Sequence, residues 1–437
     1  MKIKWIMIAL VVLMICGQTV FAQGRTRDDR QVDQEATYQG GDSYGAYSPW
    51  DIGGRTFGFG QYMLLRANTD GKLWTTFFFD DDGSQAYSIS NSITANATSP
   101  MNNIGLATND RPLNWSLDAI GDVDGDGQGE ALITKVVGSQ RVKKLLFFGD
   151  NGTVSTNGPQ WQNSSAWVVE GIGTFDTEYH DFWEYSYENP QVILLRNPSN
   201  GRLWTTYIGT SNRTQHYSTN DFTRDTTSLL NNIGLATNDS PKNWTVDGIG
   251  DVNDDYKDEI VISKVVGSQR VKKILFFGEN GIVATNGPQW QNSSAWVIEG
   301  MGSFYTGIGA QQSGYNSHQI LMRNPANGRL WTTFIGFNGS QYFDTNDFTR
   351  DTTSLLNNIG LATNDSPKNW VVQAILDVNG DDKDEIVITK TSGTQLLKKT
   401  LFFGDNGTVT TNSPQWSNST KWIIKGGFWS WGGYADN

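Results

Sequence analysis

Three long repeats constrain the fold of this chain more than any other feature of its sequence. NNIGLATND occurs at 102–110, 231–239 and 357–365, and each copy leads into an acidic loop. Asp122 in the first loop lies 129 residues before Asp251, which lies 126 residues before Asp377. Repeats of this length indicate an array of equivalent structural units and not a set of unrelated domains.

Each long repeat contains two shorter units. The A unit runs NWTVDGIGDVNDDYKDEIVISKVVGSQRVKKILFFGENGIVATNGPQW in its middle copy, and the B unit runs from AWVIEGMGSF through a variable loop to HQILMRNPANGRLWTTFIG. Short runs of Val, Ile, Thr and aromatic residues, separated by Asn-Gly or Pro-x-Asn-Gly, are typical of antiparallel strands joined by hairpins. Three A and three B units of about four strands each predict an all-β fold, a six-bladed β-propeller.

The two ends of the chain are expected to complete one blade together. KWIIKGGFWSWGGYADN at the C-terminus matches the first strand of a B unit, and QYMLLRANTDGKLWTTFF near the N-terminus matches the next two strands. Pairing the N- and C-terminal strands would close the ring and leave no exposed sheet edge. SPWDIGGRTF, 48–57, can supply a first strand of its own, so seven blades are the alternative.

The N-terminal residues predict export from the cytoplasm. Lys2 and Lys4 precede an apolar run, and Val20-Phe21-Ala22 offers a cleavage point, a pattern typical of a secretory signal peptide at 1–22. We therefore expect a secreted, periplasmic or cell-surface protein. The expected organisation is a flexible polar leader at 23–45 and a single propeller domain at 46–437, with repeat units of approximately 46–165, 166–293 and 294–420 and a closing strand at 421–437.

Composition excludes several classes of partner and of stabilising bond. The only cysteine, Cys16, lies in the signal peptide, so the mature chain has no disulfide. Loss of two lysines with that peptide takes the net charge from −12 to −14, which argues against nucleic acid as a partner. No later apolar run is long enough to cross a bilayer. The expected partner is an extracellular glycan or protein.

The acidic loops carry oxygen-bearing side chains at positions one, three, five and nine. An EF-hand needs a carboxylate at position twelve, but that position in the first loop is Ile133. Oxygen ligands without His or Cys favour Ca²⁺, so the sequence predicts up to three structural calcium ions, with solvated acidic turns as the alternative. The predicted ligands are Asp122, Asp124, Asp126 and Glu130; Asp251, Asn253, Asp255 and Glu259; and Asp377, Asn379, Asp381 and Glu385.

The acidic pattern resembles that of a known family. Asp-x-Asp/Asn-x-Asp-x-x-x-Glu, leading into an apolar strand, resembles the FG-GAP/VCBS repeats of integrin-α-type β-propellers, and ILLRNPSNGRLW is similar to a metal-free stretch of bacterial proteins of that kind. The resemblance implies a propeller with a calcium loop between the first two strands of certain blades. It also implies that a ligand binds on the face opposite those loops.

Two sets of residues are candidates for ligand contact. Aromatic residues in the variable B-unit loops can stack on sugars or on peptide side chains; they are Trp183, Tyr185, Tyr187, Trp429, Trp431 and Tyr434. Basic residues near the turns between second and third strands are expected on the opposite face, where a solvated rim is the alternative; they are Arg66, Lys72, Arg141, Arg196, Arg202, Arg270, Arg323 and Arg329. The histidines, His180, His216 and His318, are interpreted as surface loop residues.

The sequence favours binding over catalysis. The leading hypothesis is a secreted, calcium-binding β-propeller that acts as a ligand-binding or adhesion module for a glycan or a protein. The alternative is a propeller-fold polysaccharide lyase or hydrolase, because an enzyme needs titratable residues that break the repeat. One such cluster occurs: Asp176, Glu178, His180, Asp181, Glu184 and Glu188.

Overall fold

The described part of the chain folds into strands joined by short turns. The computed structural model describes residues 62–78, 85–86, 106, 110–123, 129–148, 154–175, 191–209, 214–217, 239–252, 257–277, 283–304, 318–335, 341–343, 365–378, 383–402 and 415–428. Within these residues the helical segments are three 3-10 turns, Pro112–Asn114, Pro241–Asn243 and Pro367–Asn369. None of the described helical segments has the length and apolar character needed to span a bilayer.

The A units form three antiparallel sheets whose four strands follow chain order. The first comprises β4 (Ser116–Gly121), β5 (Glu130–Val137), β6 (Gln140–Phe148) and β7 (Val154–Ser164). The second comprises β12 (Thr245–Gly250), β13 (Glu259–Val266), β14 (Gln269–Phe277) and β15 (Val283–Ser293). The third comprises β20 (Val371–Leu376), β21 (Glu385–Ser392), β22 (Gln395–Leu401) and β23 (Gln415–Ser419).

The B units form sheets of the same kind. One comprises β8 (Val168–Gly173), β9 (Val192–Asn197), β10 (Arg202–Gly209) and β11 (Thr214–Tyr217), and the next comprises β16 (Val297–Gly302), β17 (Gln319–Asn324), β18 (Arg329–Ile335) and β19 (Gln341–Phe343). The remaining sheet joins the two ends of the chain: β24 (Trp422–Phe428), β1 (Tyr62–Ala67), β2 (Leu73–Phe78) and β3 (Gln85–Ala86). Here β24 pairs antiparallel with β1, with Tyr62 opposite Phe428, which is the pairing that the sequence predicts.

The first strand of each sheet lies on the inside of the molecule and contacts the first strand of the sheets on either side. In order these contacts run β4 to β8, β12, β16, β20 and β24, and β24 contacts β4 in turn. Sheets placed side by side about their first strands are the arrangement of a β-propeller. The prediction of an all-β, propeller-like chain is therefore confirmed. The segment 48–57, on which the seven-blade alternative depends, lies outside the described residues.

Apolar side chains fill the spaces between neighbouring sheets. Along β9, Ile193 and Leu195 pack in a cluster with the first A sheet, whereas Val192 and Leu194 pack in a cluster with the second A sheet. Alternate side chains of one strand are thus buried on opposite faces, which explains why second strands are continuous apolar runs and not alternating ones.

A tryptophan clasp fixes the start of each A unit. Trp244 donates from Nε1 to Oδ2 of Asp239 at 3.1 Å, and Lys264 pairs with the same carboxylate while its ammonium lies 4.8 Å from the Trp244 ring centroid. Burial alone would raise the pKa of Asp239, but the hydrogen bonds led by that from Lys264 hold it below its usual value. Equivalent clasps join Asp110, Trp115 and Lys135, and Asp365, Trp370 and Lys390. The tryptophans that open the A units, Trp115, Trp244 and Trp370, are all buried.

Candidate functional site

The two ends of each acidic loop carry an aspartate and a buried glutamate; the aspartate is buried in the first and third loops (Asp122 and Asp377) and partly buried in the second (Asp251). Glu130 accepts a hydrogen bond through Oε2 from the backbone N–H of Val123 at 2.9 Å, and Asp122 is 2% exposed. Glu259 and Glu385 accept from the equivalent valines, Val252 and Val378, at the same 2.9 Å. One carboxylate oxygen of each glutamate thus holds the loop closed.

This chemistry fits a hard cation in each loop. Two buried carboxylates in one loop are costly unless hydrogen bonds and a counter-charge compensate them, and their oxygens are of the kind that Ca²⁺ prefers. The central ligands predicted for the three loops lie outside the described residues: Asp124, Asp126, Asn253, Asp255, Asn379 and Asp381. Among the residues that the structure describes, no three His, Cys, Asp or Glu side chains are grouped closely enough to hold a metal.

The acidic loops are also tied to the preceding B sheets. Asp258, one position before Glu259, donates its N–H to the Thr174 carbonyl at 2.6 Å and accepts the Thr174 N–H through Oδ2 at 2.6 Å. Asp384 makes the same reciprocal pair with Ser303, both at 2.7 Å. The sequence analysis missed these aspartates because they stand outside the ligand pattern. The first loop has Gly129 at this position.

The following B sheets hold the loops from the other side. Nδ1 of His318 accepts the N–H of Asp251 at 3.1 Å, and the His318 N–H donates to the Asp251 carbonyl at 2.7 Å. A side chain on Gly250 would place its Cβ 2.6 Å from that Nδ1, so only glycine fits there. Gln191 makes the equivalent pair with Asp122 at 2.9 and 2.8 Å. The interpretation of His318 as a surface residue is wrong, because it is buried against the neighbouring sheet.

A second set of equivalent positions lies on the inner strands. The register of every inner strand shifts at one residue, a β-bulge that leaves this residue unpaired between two paired ones. Bulges re-aim a side chain away from the regular alternation of a strand. We call the six residues the bulge ring; they are Asp118, Glu170, Asp247, Glu299, Gln373 and Lys425.

In two A units the bulge residue is an aspartate held by hydroxyls and an arginine. Asp118 accepts from Ser116 and Thr134, both at 2.6 Å, and lies 3.9 Å from Arg141. Asp247 has the equivalent partners Thr245, Ser263 and Arg270. Burial raises the pKa of Asp247, against the hydrogen bonds and the positive charge around it.

The third A unit has lost both charges at these positions. Gln373 replaces the aspartate, and Leu396 replaces the arginine. Gln373 accepts a hydrogen bond from Thr389 at 3.4 Å. Because the two charges are absent together, no uncompensated charge is left at this point of the ring.

In two B units the bulge residue is a glutamate that pairs with an arginine of the second strand. Arg196 donates to Glu170 at 2.5 Å and Arg323 donates to Glu299 at 2.6 Å. Burial raises the pKa of Glu170, and the charge of Arg196 opposes that shift. The two junctions thus contain equivalent ion pairs, of which the pair of Glu170 and Arg196 is buried and the pair of Glu299 and Arg323 is partly buried.

The B sheet formed by the two chain ends lacks this pair of glutamate and arginine. Its bulge residue is Lys425, and its arginine is Arg66, so two cations meet where the other units have an ion pair. Arg66 turns to the next sheet and donates to the Trp115 carbonyl at 2.5 Å. Burial, and then the charge of Arg66, lower the pKa of Lys425, whereas Asp118 opposes the shift. Within the described part of the chain, Lys425 has no carboxylate partner.

A cavity of about 360 Å³ lies beside Lys425. Three consecutive inner strands, β24, β4 and β8, bound it with a mixture of cations, carboxylates and a hydroxyl. The polar lining comprises Ser116, Asp118, Arg141, Glu170, Arg196 and Lys425. The cavity therefore lies at the point where the repeat is broken.

The arginines predicted to line a basic face are less exposed than expected. Arg196 is buried and Arg66, Arg141, Arg270 and Arg323 are partly buried against the inner strands, so the alternative of a solvated rim is wrong for these five arginines. Lys72 is exposed, 4.0 Å from Asp70. The aromatic candidates Trp183, Tyr185, Tyr187, Trp429, Trp431 and Tyr434, and the titratable cluster at 176–188, lie outside the described residues.

Comparisons with known proteins identify no family. No family model matches the chain, and no curated protein matches it. Similar solved structures include a Lactobacillus plantarum protein, at a TM-score of 0.37 and 7% identity, covering 83% of this chain and 82% of its own. Two proteins provisionally named 6-phosphogluconolactonases are also similar. The one from Bacteroides uniformis has a TM-score of 0.36 and 10% identity, and the match covers 84% of this chain and 97% of that protein. The one from Bacteroides fragilis has a TM-score of 0.36 and 9% identity, and the match covers 84% of this chain and 95% of that protein. Values this low support no conclusion about activity or ligand.

Proposed function

We propose that this chain is a secreted, calcium-stabilised, six-bladed β-propeller that acts as a binding module for a glycan or a protein. The six-bladed ring is supported by the six four-stranded sheets among the described residues and by the contacts that pass from each inner strand to the next and return to β4. The pairing of β24 with β1 supports closure of the ring by the two ends of the chain.

The proposed calcium ions lie in the three acidic loops. The residues that would hold them are the four predicted ligands of each loop. The structure describes the first aspartate and the position-nine glutamate of every copy, and the glutamate is buried in all three. A cation there would offset two buried carboxylates. Because each loop is hydrogen-bonded to the neighbouring sheets, ion binding would also strengthen the contacts between blades.

One observation carries the binding function: the cavity at Lys425 occupies the broken junction of a repeating structure. Positions that repeat three times serve the fold in all three copies, whereas a site for one ligand needs residues that occur once. Lys425 meets that requirement, because the other two B units have a glutamate at its position. The cavity has the size of small-ligand pockets, which run from about 300 to 1,000 Å³.

A polysaccharide lyase is the second candidate, and a single feature favours it. Lys425 lines a cavity with two carboxylates, burial lowers the pKa of its amine, and a lysine with a lowered pKa can act as a general base.

The test is a glycan array, combined with protein-ligand capture, on the purified mature chain in Ca²⁺ and in EGTA. Binding to a defined ligand class without change in that ligand supports the module. Release of shorter or unsaturated saccharides would establish the enzyme instead, and failure to bind any glycan or extracellular protein would overturn the proposal.

A further inference from the structure

The three junctions between a B sheet and the following A sheet provide an internal comparison of charge. Four positions are compared at each junction. The B unit supplies its bulge residue and the arginine of its second strand, and the A unit supplies its bulge residue and the residue equivalent to Arg141. The backbone framework is the same in all three, because the bulge and the strand pairing recur. Only the side chains differ.

At these four positions, two of the junctions carry no net charge. At one, Glu170 and Arg196 face Asp247 and Arg270, two anions and two cations. At the other, Glu299 pairs with Arg323, and the A-unit positions hold the uncharged Gln373 and Leu396.

The third junction carries an excess of two positive charges. Lys425, Arg66 and Arg141 are opposed there by Asp118 alone. These three cations are partly buried, and an excess of positive charge withdrawn from water costs free energy unless an anion compensates it. The two neutral junctions indicate that the fold does not require this excess.

The cavity beside this junction contains both kinds of hydrogen-bonding group that a sugar acid uses. Lys425 and Arg141 donate, and a guanidinium or an ammonium is the natural partner of a carboxylate. Asp118 and Glu170 accept, and can receive hydrogen bonds from sugar hydroxyls. A volume of about 360 Å³ suits one or two sugar rings and not a protein surface.

We propose that this cavity binds the carboxylate-bearing residue of an acidic saccharide, with Lys425 contacting the carboxylate and Asp118 and Glu170 contacting ring hydroxyls. The inference rests on the proposed binding function and names the ligand class of that site. The repeat itself supplies the informative variant, because Lys425→Glu restores the glutamate found at the other two B-unit positions. That glutamate would meet Arg66 as Glu170 meets Arg196, so the variant is expected to fold.

The experiment is titration calorimetry of the full mature chain in Ca²⁺ with short fragments of polygalacturonate, alginate and hyaluronan. The same fragments with their carboxylates reduced to alcohols are the matched neutral ligands. We expect at least one acidic fragment to bind, its reduced form to bind at least tenfold more weakly, and Lys425→Glu to lose at least tenfold in affinity for the acidic form. Lys421→Glu, at an exposed turn before β24, makes the same change in net charge and is expected to bind like the wild type.

Several results would overturn the inference. Equal binding of acidic and reduced fragments would show that the carboxylate is not recognised, and full affinity in Lys425→Glu would show that the site lies elsewhere. If Lys425→Glu melts at a lower temperature than the wild type, Lys425→Met takes its place in the same comparison. Failure of every acidic fragment, with a ligand found by the array, would refute the inference while leaving the proposed function intact.

Discussion

At their first and last predicted ligand positions the acidic loops keep the same residues in all three repeats, whereas the bulge ring changes its side chains from one repeat to another. The loops keep their first aspartate, their buried glutamate and the hydrogen bond from the valine backbone N–H to that glutamate in all three copies. The bulge ring keeps its backbone geometry but changes its side chains in the last repeat, where Gln373 and Lys425 replace acids. Features that occur in all three repeats therefore serve the fold, whereas a residue that occurs in one repeat is a candidate for a single binding site.

The largest effect that would test the loop half of this comparison is removal of calcium. A ligand that binds only the folded state stabilises it by about 2.7 kcal/mol per site at a hundredfold excess over Kd, so three sites add up to about 8 kcal/mol. We expect EGTA to lower the melting temperature of the mature chain strongly and Ca²⁺, in preference to Mg²⁺, to restore it. An unchanged melting curve on chelation would contradict the calcium proposal.

The pH dependence of stability tests a feature that all three A units share. Burial lowers the pKa of Lys143 to about 7, of Lys272 to about 8 and of Lys398 to about 7, each beside an asparagine carbonyl. Because unfolding returns these pKa values toward about 10.5, the unfolded chain binds more protons between the two values, and stability rises with pH across that window.

The expected slope is at most about 1.4 kcal/mol per pH unit for each lysine. Urea unfolding of the wild type from pH 7 to pH 10 measures the sum of the three contributions. Lys272→Met removes one contribution and is expected to reduce the slope by about a third. A stability that falls as pH rises through this range would refute the assignment of lowered pKa values.

A paired substitution in one loop separates the hydrogen bond from the charge. Glu259→Ala leaves the buried N–H of Val252 without its acceptor, which costs about 1–3 kcal/mol, and it also weakens the proposed ion site. Glu259→Gln retains the acceptor and is expected to cost less. Urea unfolding in Ca²⁺ and in EGTA measures both variants, and equal losses for the two would show that the hydrogen bond contributes nothing.

The smallest effect is expected where the third A unit departs from the others. Gln373→Asp places a buried carboxylate opposite Leu396 and is expected to cost about 1–3 kcal/mol. Adding Leu396→Arg recreates the pair of Asp247 and Arg270 and is expected to recover most of that loss. A double-mutant cycle measures the coupling; if the two substitutions are simply additive, the correlated loss of both charges has no electrostatic basis.

Much of the architecture was predictable from the sequence because its signals are local. Hairpin turns and apolar runs predicted the strands, and the incomplete first and last units predicted the pairing of β24 with β1. The acidic pattern located the loops and their first and last predicted ligands. These features depend on residues close together in the chain or on direct repetition.

The cavity was not predicted, because its partners come from different sheets. Asp118, Glu170 and Lys425 line it from three sheets, and the β-bulges at these residues cannot be inferred from strand alternation. His318 was misassigned for the same reason, since its partner Asp251 belongs to the preceding sheet. One signal was available: the equivalent position of the inner strands holds an acid in four of them and glutamine in a fifth, and it holds a lysine only at Lys425.

The central claim is that three equivalent loops hold calcium and one broken junction binds a ligand. The most direct test is the stoichiometry of binding, measured by titration calorimetry on calcium-free mature chain and then on calcium-loaded chain with its acidic saccharide. The account predicts up to three Ca²⁺ ions and one saccharide per chain. Three saccharides per chain would place a site at every junction, and a chain that binds no Ca²⁺ would leave the acidic loops as turns alone; either result would contradict the account.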